Sequence, residues 1–113
     1  METQLLMELN IFVAERDWEQ FHTPKNLSMA LTKETSEIME IFQWMNEKDS
    51  LKISPDKEIE LKHEIGDVFI YLTLLAAKFN INPLEAAFEK LKLNIEKYPA
   101  EIVRGQAKKY NEY

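Results

Sequence analysis

Cysteine is absent from the 113 residues of the chain. Without thiols there is no disulfide bond, no zinc–thiolate site and no cysteine nucleophile. Nothing in this composition indicates secretion. The N-terminal segment carries Glu2 and Glu8 where a signal peptide would have basic residues followed by a long apolar run. We therefore expect a cytoplasmic protein.

Glycine and proline are scarce, with only two glycines and four prolines. These are too few for the many turns of an all-β sandwich or for a glycine-rich phosphate loop. Hydrophobic residues make up 45% and charged residues 30%, which excludes a low-complexity disordered chain and an integral membrane protein. The composition predicts a mostly helical chain, and its length fits one domain with a modest core.

Basic residues are fewer than acidic ones, 14 against 20, and the formal net charge is −6. A surface of this sign repels polyanions, so we expect no nucleic-acid partner. An anionic ligand would need a metal ion or local lysines to bind.

Long hydrophobic runs are also missing. The longest apolar stretch, 68–77, is interrupted by Tyr71 and Thr73 and has about half the length that a membrane-spanning helix requires. It predicts a deeply buried helix and no membrane segment. Because this helix is apolar on almost every side, a small monomer would have difficulty covering it, which favours a homo-oligomer.

Hydrophobic periodicity and helix start signals predict four helices in one domain, 1–113, with an all-α, four-helix-bundle-like fold. An aromatic loop is expected at 20–25 and a polar loop at 48–52. The tail 100–113 is basic and aromatic, and is consistent either with a frayed end or with a segment folded over a site. The predicted helices run from Thr3 to about Glu19, from Asn26 as N-cap to about Glu47, from Ser54 as N-cap to about Phe79, and from Asn82 to Tyr98.

Two pairs of acidic residues stand out, Glu34 with Glu37 and Glu64 with Asp67. A step of three residues turns a helix by roughly 300°, so each pair shares one face. If the second and third helices pack antiparallel, the pairs form a cage of four carboxylates. Buried carboxylates need cations, and an all-oxygen site suits Mg²⁺ or Mn²⁺.

Other interpretations of the acidic residues remain open. The pairs are also typical of solvated helix faces, with Lys33 and Lys62 as partners. Glu60 and His63 form one Glu-x-x-His element of the kind that di-iron bundles use twice, but the sequence has it once.

Aromatic residues form a second candidate site, because Trp18, Phe21 and Trp44 have polar neighbours and His22 lies beside them. Such side chains can stack on a flat base, although tryptophan in a small protein is more often part of the core. Possible phosphate neighbours, or ordinary solvated residues, are Lys90, Asn94, Lys97, Arg104, Lys108 and Lys109.

The arrangement Glu34-x-x-Glu37, 26 intervening residues and Glu64-x-x-Asp67 resembles the metal-binding signature of the MazG-like all-α nucleoside triphosphate pyrophosphohydrolases. The segments AERDWEQFH (14–22), NLSMAL (26–31), FQW (42–44) and EIGDVFIYL (64–72) are similar to blocks of the dCTP pyrophosphatase branch. The similarity continues into the C-terminal tail.

This resemblance implies magnesium-dependent cleavage of a nucleoside triphosphate, dCTP or a modified dCTP, to the monophosphate and pyrophosphate. It also implies a homotetramer. The main alternative is a catalytically silent helical oligomer that binds nucleotides or a protein, and a third possibility is an enzyme for another base. By the resemblance Glu34, Glu37, Glu64 and Asp67 hold the metal, and the nucleotide contacts Trp18, His22, Asn26, Trp44, Tyr71, Lys90 and Asn94.

Overall fold

The computed structural model describes residues 3–108 and 110–112, and within these ranges the chain forms helices and no β-strand. The prediction of an all-α protein is confirmed. The helices are α1 (Gln4–Glu15), α2 (Pro24–Phe42), α3 (Glu47–Ser50), α4 (Pro55–Lys78), α5 (Pro83–Lys97) and α6 (Ala100–Val103), with 3₁₀ helices at Glu19–Phe21 and Tyr110–Glu112.

The chain divides into two compact units, 1–80 and 81–113. The first contains α1 to α4, and the second contains α5, α6 and the second 3₁₀ helix. Of the described residues, none belongs to a helix long and apolar enough to cross a membrane.

The helix starts follow from side-chain caps. Ser54 caps α4 and Asn82 caps α5, as predicted, because each side-chain oxygen accepts a hydrogen bond from the first helical turn. The predicted N-cap at Asn26 is wrong. Thr23 caps α2 instead, accepting from the Asn26 backbone N–H at 3.2 Å. Pro24 occupies the first helical position, where its missing N–H costs nothing.

Two helices end earlier than periodicity predicts. The first helix stops at Glu15 rather than near Glu19, and the second stops at Phe42 rather than near Glu47. The polar loop expected at 48–52 is partly helical. Asn46 Oδ1 accepts from the Asp49 backbone N–H at 2.8 Å, and this cap starts the single turn of α3.

The core of the first unit is formed where α1 and α2 meet α4. Leu9 and Val13 of α1, Leu27 of α2 and Leu74 of α4 form one buried cluster. The contact between α2 and α4 is the most extensive helix pair, so these two helices are the frame on which the acidic side chains are held.

Much of the apolar surface of both units is exposed. In the stretch 68–77, which was expected to be deeply buried, only Thr73 and Leu74 are buried, while Phe69 and Leu72 are exposed. That prediction is wrong for the single chain, in which part of this stretch is exposed. A comparable exposed row on α5 consists of Leu84, Phe88, Leu91 and Ile95.

Candidate active site

The packing of α2 against α4 brings three acidic side chains together. Glu34 and Glu37 of α2 and Glu64 of α4 each offer a carboxylate oxygen, and these oxygens lie within 4.8 Å of one another. All three residues are half-buried. They lie on the helix faces that the i,i+3 spacing predicts.

The donor set fits a divalent cation. Glu34 Oε2 and Glu64 Oε2 are shielded from solvent and have no hydrogen-bond donor among the described residues. Ionised carboxylates can only accept hydrogen bonds, so three of them at this distance need a shared proton or a cation between them. Mg²⁺ and Mn²⁺ prefer an all-oxygen set of this kind.

Asp67, the fourth predicted carboxylate, is half-buried but is not part of this close group. Its negative charge nevertheless raises the pKa of both Glu34 and Glu64. Its side chain also lines a cavity, described below. Asp67 therefore lies near the acidic cluster and also in the cavity wall.

The three glutamates of the cluster differ in the direction of their pKa shifts. Hydrogen bonding to Glu37, then burial and the neighbouring negative charges, raise the pKa of Glu64 to about 7. Burial is the main reason that the pKa of Glu34 is also raised. The pKa of Glu37 is lowered, chiefly because a protonated Glu64 can donate a hydrogen bond to it. Glu64 is the member that holds a proton near neutral pH.

The cluster also has one lysine partner. Lys33 Nζ lies 3.7 Å from Glu37 Oε1, but its side chain is largely exposed, so this ion pair offsets little of the negative charge. The interpretation of the pairs as solvated helix faces predicts Lys33 as a partner, which the structure shows, but Glu34, Glu37 and Glu64 are half-buried. The di-iron alternative gains no support either, since Glu60 and His63 are exposed and Glu60 pairs with Lys57 at 3.9 Å.

A raised pKa at Glu64 predicts a stability profile for the metal-free protein. A carboxyl group whose folded pKa is raised stabilises the fold below its ordinary pKa, and this contribution is lost as pH rises through the folded pKa. We expect the free energy of unfolding, measured by urea titration with a chelator, to fall between about pH 4.5 and 7. The control Glu64→Gln cannot ionise and should be flatter over this range. An equal fall in both proteins would contradict the assignment.

A cavity of about 390 Å³ lies within the first unit. Its volume is in the range of small-molecule sites, and its wall is mostly apolar. Four predicted site residues, Trp18, His22, Asp67 and Tyr71, are in its wall. The remaining lining residues are Glu8, Leu9, Phe12, Val13, Ile70 and Leu74.

His22 and Trp18 present different chemistry to the cavity. His22 is half-buried, and its Nδ1 is shielded from solvent without a hydrogen-bond partner in the described ranges, so it is available to a ligand. Trp18 is 43% exposed and packs edge to face with Phe12, with ring centroids 5.6 Å apart. The cavity therefore combines a polar nitrogen with an aromatic wall.

Other predicted site residues lie elsewhere. Asn26 does not line the cavity, and its Nδ2 donates to the Phe21 carbonyl at 3.0 Å, which holds the turn before α2. Trp44 follows α2 and is 91% exposed. Lys90 and Asn94 belong to α5 of the second unit. Lys109, a possible phosphate neighbour, lies outside the described residues.

Sequence reasoning missed the contribution of α1 to the cavity. Its residues Leu9, Phe12 and Val13 have the helical spacing that is typical of a core face, but they also form part of the cavity wall. Glu8 was not considered as a site residue. The available signal was the position of Glu8 one turn before Phe12, on the same face of α1.

Known proteins resemble the chain in sequence and in structure. The family model described as the MazG-like family matches residues 30–113. Two curated relatives are dCTP pyrophosphatase 1 of Homo sapiens, 43% identical, and of Bos taurus, 41% identical, each over 103 residues. These alignments cover 89% of this chain and 61% of each relative, so the chain spans about three fifths of the length of these relatives.

A solved structure agrees with these relatives. The crystal structure of a pyrophosphatase from Archaeoglobus fulgidus aligns with a TM-score of 0.70 and 39% sequence identity, covering 85% of this chain and 90% of that one. The matched region contains the carboxylate pairs, because the family model begins at residue 30 and extends through α2 and α4. On this evidence the chain belongs to the MazG-like family.

Proposed function

We propose that the protein hydrolyses a nucleoside triphosphate to the monophosphate and pyrophosphate in a magnesium-dependent reaction, with Mn²⁺ as a possible substitute. The observation that carries the proposal is the group of three carboxylate oxygens within 4.8 Å of one another, on two packed helices. The proposed ligands of the metal are Glu34, Glu37, Glu64 and Asp67. The names of the curated relatives and of the aligned structure support the reaction class.

The charge of the site explains why a metal is needed. A bound divalent cation would neutralise the triphosphate, which the acidic cluster alone would repel. The pKa of Glu64, raised to about 7 by its hydrogen bond to Glu37, by burial and by neighbouring negative charges, belongs to the metal-free cluster, and a bound cation would favour its ionised form as a ligand. One carboxylate of the site would act as general base toward the attacking water. Glu37, whose pKa is lowered chiefly by its hydrogen bond with Glu64, stays ionised and so remains suited to hold the cation.

The proposed substrate is dCTP or a modified dCTP, by analogy with the named relatives. The cavity supplies an aromatic wall from Trp18 and Tyr71 and an unpaired nitrogen from His22, while Asp67 connects it to the metal site. The proposal keeps Asn26, Trp44, Lys90 and Asn94 as further nucleotide contacts, as the family resemblance implies.

The proposed assembly is a homotetramer in the cytoplasm. The exposed apolar rows on α4 and α5 support self-association, since a monomer rarely leaves such rows in water. The single domain over 1–113 remains a prediction. Size-exclusion chromatography with light scattering tests the assembly, and a native monomer would contradict it.

One experiment separates the enzyme from a non-catalytic oligomer. The protein is incubated with a panel of canonical and modified triphosphates, with Mg²⁺ and with a chelator, and monophosphate and pyrophosphate are measured. We expect release of both products from a cytidine triphosphate only when Mg²⁺ is present. A folded protein that cleaves nothing in the panel would favour the nucleotide-binding or protein-interaction module.

The aromatic wall makes a prediction about binding. Trp18→Ala should raise KM by an amount equivalent to about 1–3 kcal/mol, the contribution of one base–aromatic stack, and lower kcat much less. Phe79→Ala, an exposed aromatic at the end of α4, is the matched control and should leave KM unchanged. A normal KM in Trp18→Ala would return this tryptophan to a purely structural role.

A further inference from the structure

The C-terminal end of α1 contains a contact that the cavity description does not include. The guanidinium carbon of Arg16 lies 3.7 Å from the centroid of the Phe12 ring, over its face. Arg16 Nη1 also donates to the Phe12 carbonyl at 3.0 Å and lies 3.9 Å from Glu15 Oε1. The Arg16 guanidinium thus contacts both the backbone carbonyl and the ring of Phe12.

Phe12 in turn contacts Trp18. Their rings meet edge to face at an interplanar angle of 73°, and both line the cavity. Arg16 is not among the described residues that line it, and its side chain is 43% exposed. The three residues form a continuous contact from the solvent-facing guanidinium to the indole in the cavity wall.

Backbone hydrogen bonds hold the chain at Trp18, independently of its side-chain contacts. The Trp18 N–H donates to the Val13 carbonyl and the Asp17 N–H to the Ala14 carbonyl, both at 3.1 Å, closing a Schellman motif. Asp17 takes the left-handed position that the motif requires, with φ of 53°. These bonds place the Trp18 backbone but do not restrict the rotation of its indole, which depends on side-chain contacts such as that with Phe12.

We infer that Arg16 is a positioning residue for the aromatic wall of the cavity, to which the base is proposed to bind. Arg16 orients the ring of Phe12, and Phe12 orients the Trp18 indole. A cation is attracted to the face of a ring, and aromatic pairs prefer edge-to-face or offset arrangements, so each contact favours one orientation of the ring that it touches. The positioning of the indole is a statement about the free protein, while its effect on the base rests on the proposed function.

Kinetics of Arg16 variants test the effect on substrate. Arg16→Met should raise KM by about threefold to tenfold with kcat within about twofold, and Arg16→Lys, which keeps a cation, should fall between Arg16→Met and the parent. Lys52→Met removes another exposed cation of the same unit and should leave KM unchanged. Equal losses in Arg16→Met and Lys52→Met would indicate a general effect of charge and overturn the inference.

A double-mutant cycle tests the route through the ring. Phe12→Leu removes the aromatic partner, so adding Arg16→Met to it should change KM by less than about twofold. Additive effects of the two substitutions would mean that Arg16 acts without Phe12, and would contradict the proposal. Circular dichroism confirms that each variant is folded.

Fluorescence tests the contact without substrate. The chain has two tryptophans, so a Trp44→Phe background leaves Trp18 as the single indole emitter. In this background Arg16→Met should lower the anisotropy of Trp18 and increase its quenching by acrylamide, while Lys52→Met should change neither. Unchanged fluorescence in folded Arg16→Met overturns the inference even if the triphosphate is hydrolysed. A fluorescence change in a protein that hydrolyses nothing supports the contact and rejects the proposed function.

Discussion

Glu37→Ala is expected to lower magnesium-dependent turnover by at least about 10³-fold, the largest effect that we predict. Glu37 is the member of the cluster that interacts with both other carboxylates, because the hydrogen bonds that lower its pKa come from Glu64 and Glu34. Removing it takes away a proposed metal ligand whose carboxylate lies beside the other two. Asp67→Ala should also lose turnover, because Asp67 is a proposed metal ligand and its side chain lines the cavity.

The fold of Glu37→Ala should survive, because one negative charge leaves a cluster of like charges. Its thermal midpoint without metal should not fall below that of the parent, and calorimetry should show weaker Mg²⁺ binding. Glu60→Ala is the matched control, an exposed glutamate on α4 that the proposal does not use. Near-normal turnover in Glu37→Ala would contradict the metal site, and loss of turnover in Glu60→Ala would favour the Glu60 and His63 alternative.

Leu27→Ala is expected to destabilise the protein by about 2–5 kcal/mol, the cost of a cavity in a packed core. Leu27 is 1% exposed and belongs to the cluster that joins α1 and α2 to α4. Since domains of this size are stable by only about 5–15 kcal/mol, the variant should lose a large part of its stability. Because the same packing aligns the carboxylates of α2 and α4, Mg²⁺ affinity should fall with it.

Leu51→Ala provides the control for this prediction. Leu51 is 86% exposed, so the same truncation removes little buried surface and should change the free energy of unfolding by less than about 0.5 kcal/mol. Urea titrations of both variants, with and without Mg²⁺, measure the difference. Equal destabilisation by the two substitutions would contradict the position of Leu27 in the core.

Helix starts were readable from sequence where the signal is local. Ser54 with Pro55 and Asn82 with Pro83 place a capping oxygen directly before a proline, and both starts are confirmed. The same signal occurs at Thr23 with Pro24, so the N-cap predicted at Asn26 lies three residues too late. The Asn26 side chain instead holds the carbonyl of Phe21, a role that depends on the fold of the preceding turn.

Helix ends were less predictable. The apolar periodicity of the first helix continues toward Glu19, but the chain turns at Asp17, where a non-glycine residue adopts a left-handed conformation. Gln20 Nε2 donates to the Asp17 carbonyl at 3.0 Å and to its Oδ2 at 3.1 Å, and so supports this turn. Hydrogen bonds of this kind, and not the hydrophobic pattern, decide where the helix stops.

The sequence by itself determined the helical class and the faces of the two acidic pairs, because composition and the 3.6-residue period are local properties of the chain. It also indicated the family, through the resemblance of its motifs to those of the MazG-like proteins. Only the tertiary structure decided that Glu34, Glu37 and Glu64 approach within 4.8 Å while Asp67 lines the cavity. It also decided that Trp18 lines the cavity and that Trp44 is exposed in the single chain. Distances between helices depend on how α1, α2 and α4 pack, and that packing is set by the summed contacts of the core, which no local pattern contains.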